Sequence, residues 1–244
     1  EFFINIGPTL AKKIPISKHS PLSYLNNRIT ASIFFNPVVE NEVLRIINDL
    51  KNSSPGWDGF QAKLVKHVKD VIAPVLVHVC NLSLESGVFP YELKIANVVP
   101  IFKAGEDDIF SNYRPVSVLT VFSKLYERIV YSRLLVFLDK HSVLFKYQFG
   151  FRKYFSTYMA LLTLTDRITA ALDEGKIVIG IFLDFSKAFD TVDHHILSHK
   201  LEHYGIRGIA LKWFENYLKE RSQYVTYNGI KSKSKKKLHV VYPR

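Results

Sequence analysis

Between Lys176 and Asp184 the chain reads Ile177-Val178-Ile179-Gly180-Ile181-Phe182-Leu183, an uncharged apolar run that ends in a carboxylate. A helix needs roughly 20 apolar residues to cross a bilayer, so this run is no membrane span. Its β-branched and aromatic residues predict a strand buried on both faces, which requires a sheet covered by other layers. An Asp where such a strand runs out into a turn sits at the sheet's C-terminal edge, where its oxygens can bind a hard cation. On local pattern alone, a helix cap or surface turn is the commoner role. The rest of the chain can supply the layers: 48% of it is hydrophobic, with 18 Phe and 13 Tyr, which excludes a disordered tail. The single cysteine, Cys80, excludes an internal disulfide and a cysteine-built zinc site, and fits a reducing compartment. A net charge of +11 points to a polyanionic partner, either nucleic acid or a membrane surface. The start, Glu1-Phe2-Phe3-Ile4, has no basic n-region and no initiating Met, so an excerpt of a longer chain is expected.

Residues 1–35, punctuated by Pro8, Pro15 and Pro21, read as an extended lead-in with little regular structure. Asn36 as cap and Pro37 at the first helical position predict a helix to about Leu50, on the spacing of Val43, Ile46, Ile47 and Leu50. After the turn cluster Ser53 to Gly59, a helical region spans Phe60 to Ser86, interrupted between Lys69 and Pro74 and closed by Gly87. Ala96 to Lys103 reads as a strand, placed at a sheet edge by Pro100. Helices follow over Thr120 to His141 and, capped by Ser156 or Thr157, to Leu172. The strand Lys176 to Asp184 precedes helices at Lys187 to His203 and Gly208 to Lys219 and a short strand at Gln223 to Tyr227.

The richest stretch is Ile181-Phe182-Leu183-Asp184-Phe185-Ser186-Lys187-Ala188-Phe189-Asp190-Thr191-Val192-Asp193-His194. It resembles the first catalytic motif of non-LTR (LINE-type) retrotransposon reverse transcriptases. Further blocks resemble that family in its own order: Ser53 to Gly59, Ala96 to Lys103, Asn112 to Leu119, and Gln148-Phe149-Gly150-Phe151-Arg152 with Ser156-Thr157. The resemblance implies an α/β (α+β) fold of fingers and partial palm, mostly helical with a small sheet. It divides the chain into a lead-in (1–35), a fingers-like region (36–175), the first part of the palm (176–230) and a basic tail (231–244).

The implied chemistry is nucleotidyl transfer with Mg2+ or Mn2+, copying an RNA template from a DNA primer with dNTP. By resemblance Asp184 is the first metal-binding carboxylate and Phe185 offers its backbone carbonyl to the triphosphate-side ion. Phe189 matches the steric gate against a ribose 2′-hydroxyl. Lys103 and Arg114 match the fingers residues that contact the triphosphate, a task suited to an ammonium and a guanidinium. Asp58 and Arg152 lie in resembling blocks but receive no role. Asp190 and Asp193 read as capping or solvated carboxylates. His195, His199 and His203 recur at helical spacing and could share a metal-binding face, although solvated histidines are the favoured reading.

The family's Gly-Val-Pro-Gln-Gly block and its aromatic-x-Asp-Asp hairpin are missing after the Arg221-Ser222-Gln223-Tyr224-Val225 strand. The expectation is a polymerase truncated after the first catalytic motif and inactive as this chain. The tail His239 to Arg244 can be encoded by bases that read Cys-Gly-Val-Pro-Gln in another frame, which suggests a frameshift near the lysines of 231–237. The alternatives are a nonenzymatic nucleic-acid-binding remnant and a poorly folding pseudogene product. The family places such a protein inside the cell, in cytoplasm and nucleus, with no membrane partner.

Overall fold

A computed structural model describes residues 2–14, 19–25, 27–185, 187–232 and 236–238. The proposed frameshifted end, 239–244, lies outside the described residues. The chain divides into two units: residues 1–137 with 187–244, and residues 138–186.

The first unit opens with helix α1 (Phe2–Ala11), where the prolines predicted little regular structure. A 3-10 turn, Pro21–Tyr24, follows. Residues 29–38 then cross the unit without helix or strand, held by side chains from elsewhere. The Arg207 guanidinium donates to the carbonyls of Ile29, Thr30 and Ala31, and the Asn81 amide pairs with both backbone groups of Val38, at 2.6 and 3.0 Å. Arg133 donates to the carbonyls of Asn36 and Pro37, at 3.1 and 3.3 Å. These contacts keep Asn36 and Pro37 out of the helix they were expected to start. Helix α2 (Glu40–Asn48) begins instead after Val39, with Glu40 and Glu42 in the first turn where they complement the helix dipole.

Helices α3 (Ala62–His67) and α4 (Lys69–Ser86) break at Val68, and Gly87 closes α4 in the left-handed region (φ 68). Pro74 is absorbed inside α4. Strand β1 (Ile95–Phe102) is followed by β2 (Tyr113–Val118) and helix α5 (Val121–Lys140). The buried faces of α2, α4 and α5 meet Phe89 and Trp213 in one apolar core.

Gly56 lies against the backbone leading into α5, where a Cβ would stand 2.7 Å from both the Cα and the N of Thr120. The sequence called for a turn at Gly56; the structure shows that close backbone approach is the stronger reason for glycine. Gly56→Ala is expected to lower stability by about 2 kcal/mol, because backbone atoms must move apart. Urea unfolding of the variant checks this.

The second unit holds helix α6 (Thr157–Asp173), with Ser156 as its cap accepting from the Met159 N–H at 3.3 Å. Ahead of it, Arg152 lies 4.1 Å over the Phe155 ring and 3.7 Å from the Asp139 carboxylate. The strand expected at Lys176 to Asp184 does not form: residues 176–185 are neither helix nor strand. Ile177, Ile179, Ile181, Phe182 and Leu183 are each more than 80% exposed. The apolar run was read correctly for composition but has no strand beside it among the described residues, and a strand exists only as part of a ladder.

Back in the first unit, α7 (His194–His203) and α8 (Gly208–Leu218) lead to β3 (Arg221–Tyr227), β4 (Ile230–Lys231) and β5 (Lys236–Leu238). The sheet order is β2-β1-β3-β4, with β5 also pairing β3. β1 is antiparallel to β2 and parallel to β3. β1 is therefore central, contrary to the edge position expected from Pro100. Pro100 is tolerated because the β3 ladder stops at Val98, while on the other side Pro100 faces Pro115, so neither residue requires a donor from the other.

Candidate nucleotide-binding site

The β1–β2 hairpin positions the two expected triphosphate contacts. Its register pairs Ile101 with Arg114 and Phe102 with Tyr113, and the Lys103 N–H donates to the Asn112 carbonyl at 2.9 Å. Strand side chains alternate, so Lys103, Ile101, Asn112 and Arg114 belong to one face, with Lys103 and Arg114 diagonal neighbours. Both are exposed, and neither forms an ion pair among the described residues. Two cations held side by side on a rigid ladder can meet adjacent phosphates of one anion.

The connecting loop is tied back onto the hairpin. Asn112 donates to the Glu106 carbonyl at 2.8 Å, and the Tyr113 hydroxyl donates to the Asp107 carbonyl at 2.7 Å. Gly105 has φ 96, and a Cβ there would lie 2.6 Å from the Asn112 amide nitrogen. The opposite face is aromatic: Tyr113 meets Phe102 and Tyr227 edge to face, at 5.5 and 6.1 Å. A cavity of about 250 Å³ opens there, lined by Phe3, Pro100, Phe110, Tyr113, Val225 and Tyr227 with Asp107 and Asp108. Phe2 of α1 stacks on Phe110, at 5.7 Å, and α1 also packs against the 3-10 turn Ala188–Thr191.

That turn carries Phe189, 46% exposed, and starts at Lys187 in the left-handed region (φ 49). Asp184 and Phe185, both exposed, end the unpaired run in the second unit. Within the first unit the structure thus joins Lys103 to Arg114 on one hairpin face and places Phe189 on a separate turn. Asp58 accepts from the Phe60 N–H at 3.1 Å, and burial raises its pKa.

Asp193 caps α7, accepting from the His195 and Ile196 N–H groups at 2.8 and 3.0 Å. The Nε2 atoms of His195 and His199 approach to 3.3 Å, whereas the His203 ring packs on Tyr204, so the three histidines do not converge. Asp190 departs from the solvated role expected of it. Burial raises its pKa above the usual 3.8, opposed by the Lys187 ammonium. An acid whose folded pKa is raised contributes stability that is complete below 3.8 and is lost as pH rises through the folded value. Asp190→Asn is accordingly expected to melt above the unsubstituted chain at pH 7 and level with it at pH 3.5. Thermal unfolding at the two pH values checks the sign.

Sequence reasoning missed Gln223, whose side chain is fully buried in β3 with neither amide atom hydrogen-bonded among the described residues. Its signal was a polar residue in the middle of a strand that pairs on both sides.

Residues 101–241 match the reverse transcriptase (RNA-dependent DNA polymerase) family. The chain belongs to that family. Among its relatives is the RNA-directed DNA polymerase from mobile element jockey of Drosophila melanogaster, 30% identical over 214 residues, which are 87% of this chain and 23% of the relative. The corresponding jockey polymerase of Drosophila funebris is 31% identical over 166 residues, 67% of this chain and 18% of the relative. The Pol polyprotein of type-1 retrotransposable element R2 from Popillia japonica is 26% identical over 172 residues, 70% and 23% respectively. These relatives make it a LINE-type reverse transcriptase domain, and the chain spans less than a quarter of their length. The palm-polymerase fold class agrees with the mixed sheet and surrounding helices.

The family works with divalent metal ions on a nucleic-acid template and nucleotide substrates. Among the described residues no group of three or more His, Cys, Asp or Glu side chains converges. Asp184 belongs to no such group there, and one carboxylate by itself does not fit a two-ion centre. Among the described residues no helix is long and apolar enough to cross a membrane.

Proposed function

We infer that this chain carries the nucleotide-reading fingers, and the start of the palm, of an RNA-directed DNA polymerase encoded by a non-LTR retrotransposon. The observation that carries the reading is the placement of Lys103 and Arg114 as diagonal neighbours on one exposed face of the β1–β2 hairpin, within the stretch that matches the family. In this reading the Lys103 ammonium and the Arg114 guanidinium grip the triphosphate of an incoming dNTP, while an RNA template and DNA primer lie along the basic surface. Phe189 crowds the ribose 2′ position. In the full polymerase Asp184 and the Phe185 carbonyl would be ligands for Mg2+ or Mn2+, a site that this chain alone does not complete. The regions follow the family's order, with fingers over 36–175, palm from 176 to 230 and a basic tail beyond.

The chain by itself is a binder of nucleotide and nucleic acid that does not extend a primer, because one carboxylate cannot fix two divalent ions. Its place of action is the cytoplasm and nucleus. The test is competition against a fluorescent dNTP on the chain with annealed RNA template and DNA primer. A deoxynucleoside triphosphate should compete at least about tenfold better than its monophosphate, as expected when two cations meet the β- and γ-phosphates. Phe189→Ala should bring the ribonucleotide within a few-fold of the deoxynucleotide. Equal competition by triphosphate and monophosphate would remove the reading. Incorporation by the unsubstituted chain in Mg2+ or Mn2+ would overturn the inactivity.

A further inference from the structure

Helix α1 touches both parts of the nucleotide-reading surface that lie in the first unit. Its buried residues Phe3 and Ile6 are three positions apart and so share one face. Phe3 meets Phe110 edge to face at 6.4 Å, and Phe2 stacks on the same ring at 5.7 Å. Phe110 opens the 3-10 turn Phe110–Asn112, whose last residue accepts the Lys103 N–H at 2.9 Å and leads directly into the strand of Arg114. The same helix packs against Ala188–Thr191, the turn that carries Phe189. All of these contacts are made by the chain within its own first unit.

The turn of Phe189 calls for such support. It starts from Lys187 at φ 49, a left-handed conformation that costs a residue with a side chain about 1 kcal/mol or more and persists where the surroundings hold it. Inside the turn the Asp190 N–H donates to the Lys187 carbonyl at 2.9 Å, and the Thr191 hydroxyl donates to the Ala188 carbonyl at 3.2 Å. These bonds make the turn one small body, which α1 can hold in place. A steric gate works by short-range repulsion, so its ring discriminates only when it is fixed relative to the point where the nucleotide is gripped. That point is the hairpin face of Lys103 and Arg114. We propose that α1 is the positioning element of sugar selection, a strut that sets the turn of Phe189 at a fixed place relative to the phosphate-gripping hairpin, with Phe3 and Phe110 as its positioning residues. This role rests on the reading of Lys103, Arg114 and Phe189 given above.

The test is competition by deoxy- and ribonucleoside triphosphates against a fluorescent dNTP, on the full chain with annealed RNA template and DNA primer. Phe3→Ala and Phe110→Ala, on opposite sides of one contact, should each cut the preference for the deoxynucleotide about fivefold or more. Phe110 is 61% exposed, so its truncation leaves the core intact, and circular dichroism confirms that both variants are folded. Phe3→Leu keeps an apolar anchor and should hold the preference within about twofold. The preference for triphosphate over monophosphate should stay within about twofold in every variant, because Lys103 and Arg114 are untouched. With Phe189→Ala in place, Phe3→Ala should change the sugar preference no further. Hydrogen exchange supplies a readout without nucleotide: the amides of 188–191 should exchange about fivefold faster in both alanine variants. A sugar preference that Phe189→Ala abolishes but Phe3→Ala and Phe110→Ala leave whole would overturn the role of α1 alone. So would a Phe3→Ala loss that adds to that of Phe189→Ala, a parallel fall in triphosphate preference, or unchanged exchange. A sugar preference that Phe189→Ala does not alter would instead remove Phe189 as the gate, and the role of α1 with it.

Discussion

Trp213→Ala is expected to remove about 3–5 kcal/mol of stability, the range for truncating a large buried aromatic. The indole is 1% exposed and joins three parts of the first unit. It stacks face to face on Tyr217 at 5.4 Å, meets Phe89 edge to face at 5.4 Å and Phe35 at 6.4 Å. Its N–H donates to the Ser83 hydroxyl at 3.1 Å, and that hydroxyl donates in turn to the Val88 carbonyl. Truncation therefore opens a cavity between α4, α8 and the segment before α2, and takes a donor from a buried hydroxyl. Equilibrium urea unfolding followed by far-UV circular dichroism measures the loss. A change below about 1 kcal/mol would mean that these elements do not share one core.

The second large effect is expected at Arg133. Its guanidinium donates to both oxygens of Glu42, at 2.7 and 2.9 Å, and to the carbonyls of Asn36, Pro37 and Ile129. The two side chains are only 12% and 15% exposed. Arg133→Met leaves the Glu42 carboxylate enclosed without its cation and frees the carbonyls that set where α2 begins. A loss of about 3 kcal/mol is expected, the low end for breaking a buried pair because some solvent reaches it. The double variant Arg133→Met with Glu42→Leu should recover at least half of that loss, since no charge is then stranded. Failure to recover would locate the effect in the Asn36 and Pro37 carbonyls rather than in the ion pair.

The helical part of the fold was legible because its punctuation is local. Gly87 ends α4 and Ser156 caps α6 through contacts within a few residues, as the patterns required. The start of α2 was misread because the deciding groups, Asn81 and Arg133, lie far along the chain. α1 was hidden by Pro8. β2 was legible as a family block but not as a strand, since Pro115 sits in its middle, where an edge strand facing Pro100 tolerates it.

The candidate site divides along the same line. Motif order identified Lys103 and Arg114, but that they share a face follows from a register that no local pattern announces. Asp184 was found by the apolar run before it. The same run led to a strand that is not there, because composition reports the fitness of a segment for a sheet and not the presence of a neighbour.

The central claim is that Lys103 and Arg114 together read a nucleoside triphosphate. Its most direct test is a fluorescence titration of a labelled dNTP into the full chain with annealed RNA template and DNA primer, for the unsubstituted chain, Lys103→Ala and Arg114→Ala. The account predicts that each substitution weakens binding by about tenfold or more, in keeping with loss of a charge-assisted phosphate contact, while the melting temperature stays unchanged because both side chains are exposed. Equal affinity for the three proteins would contradict it.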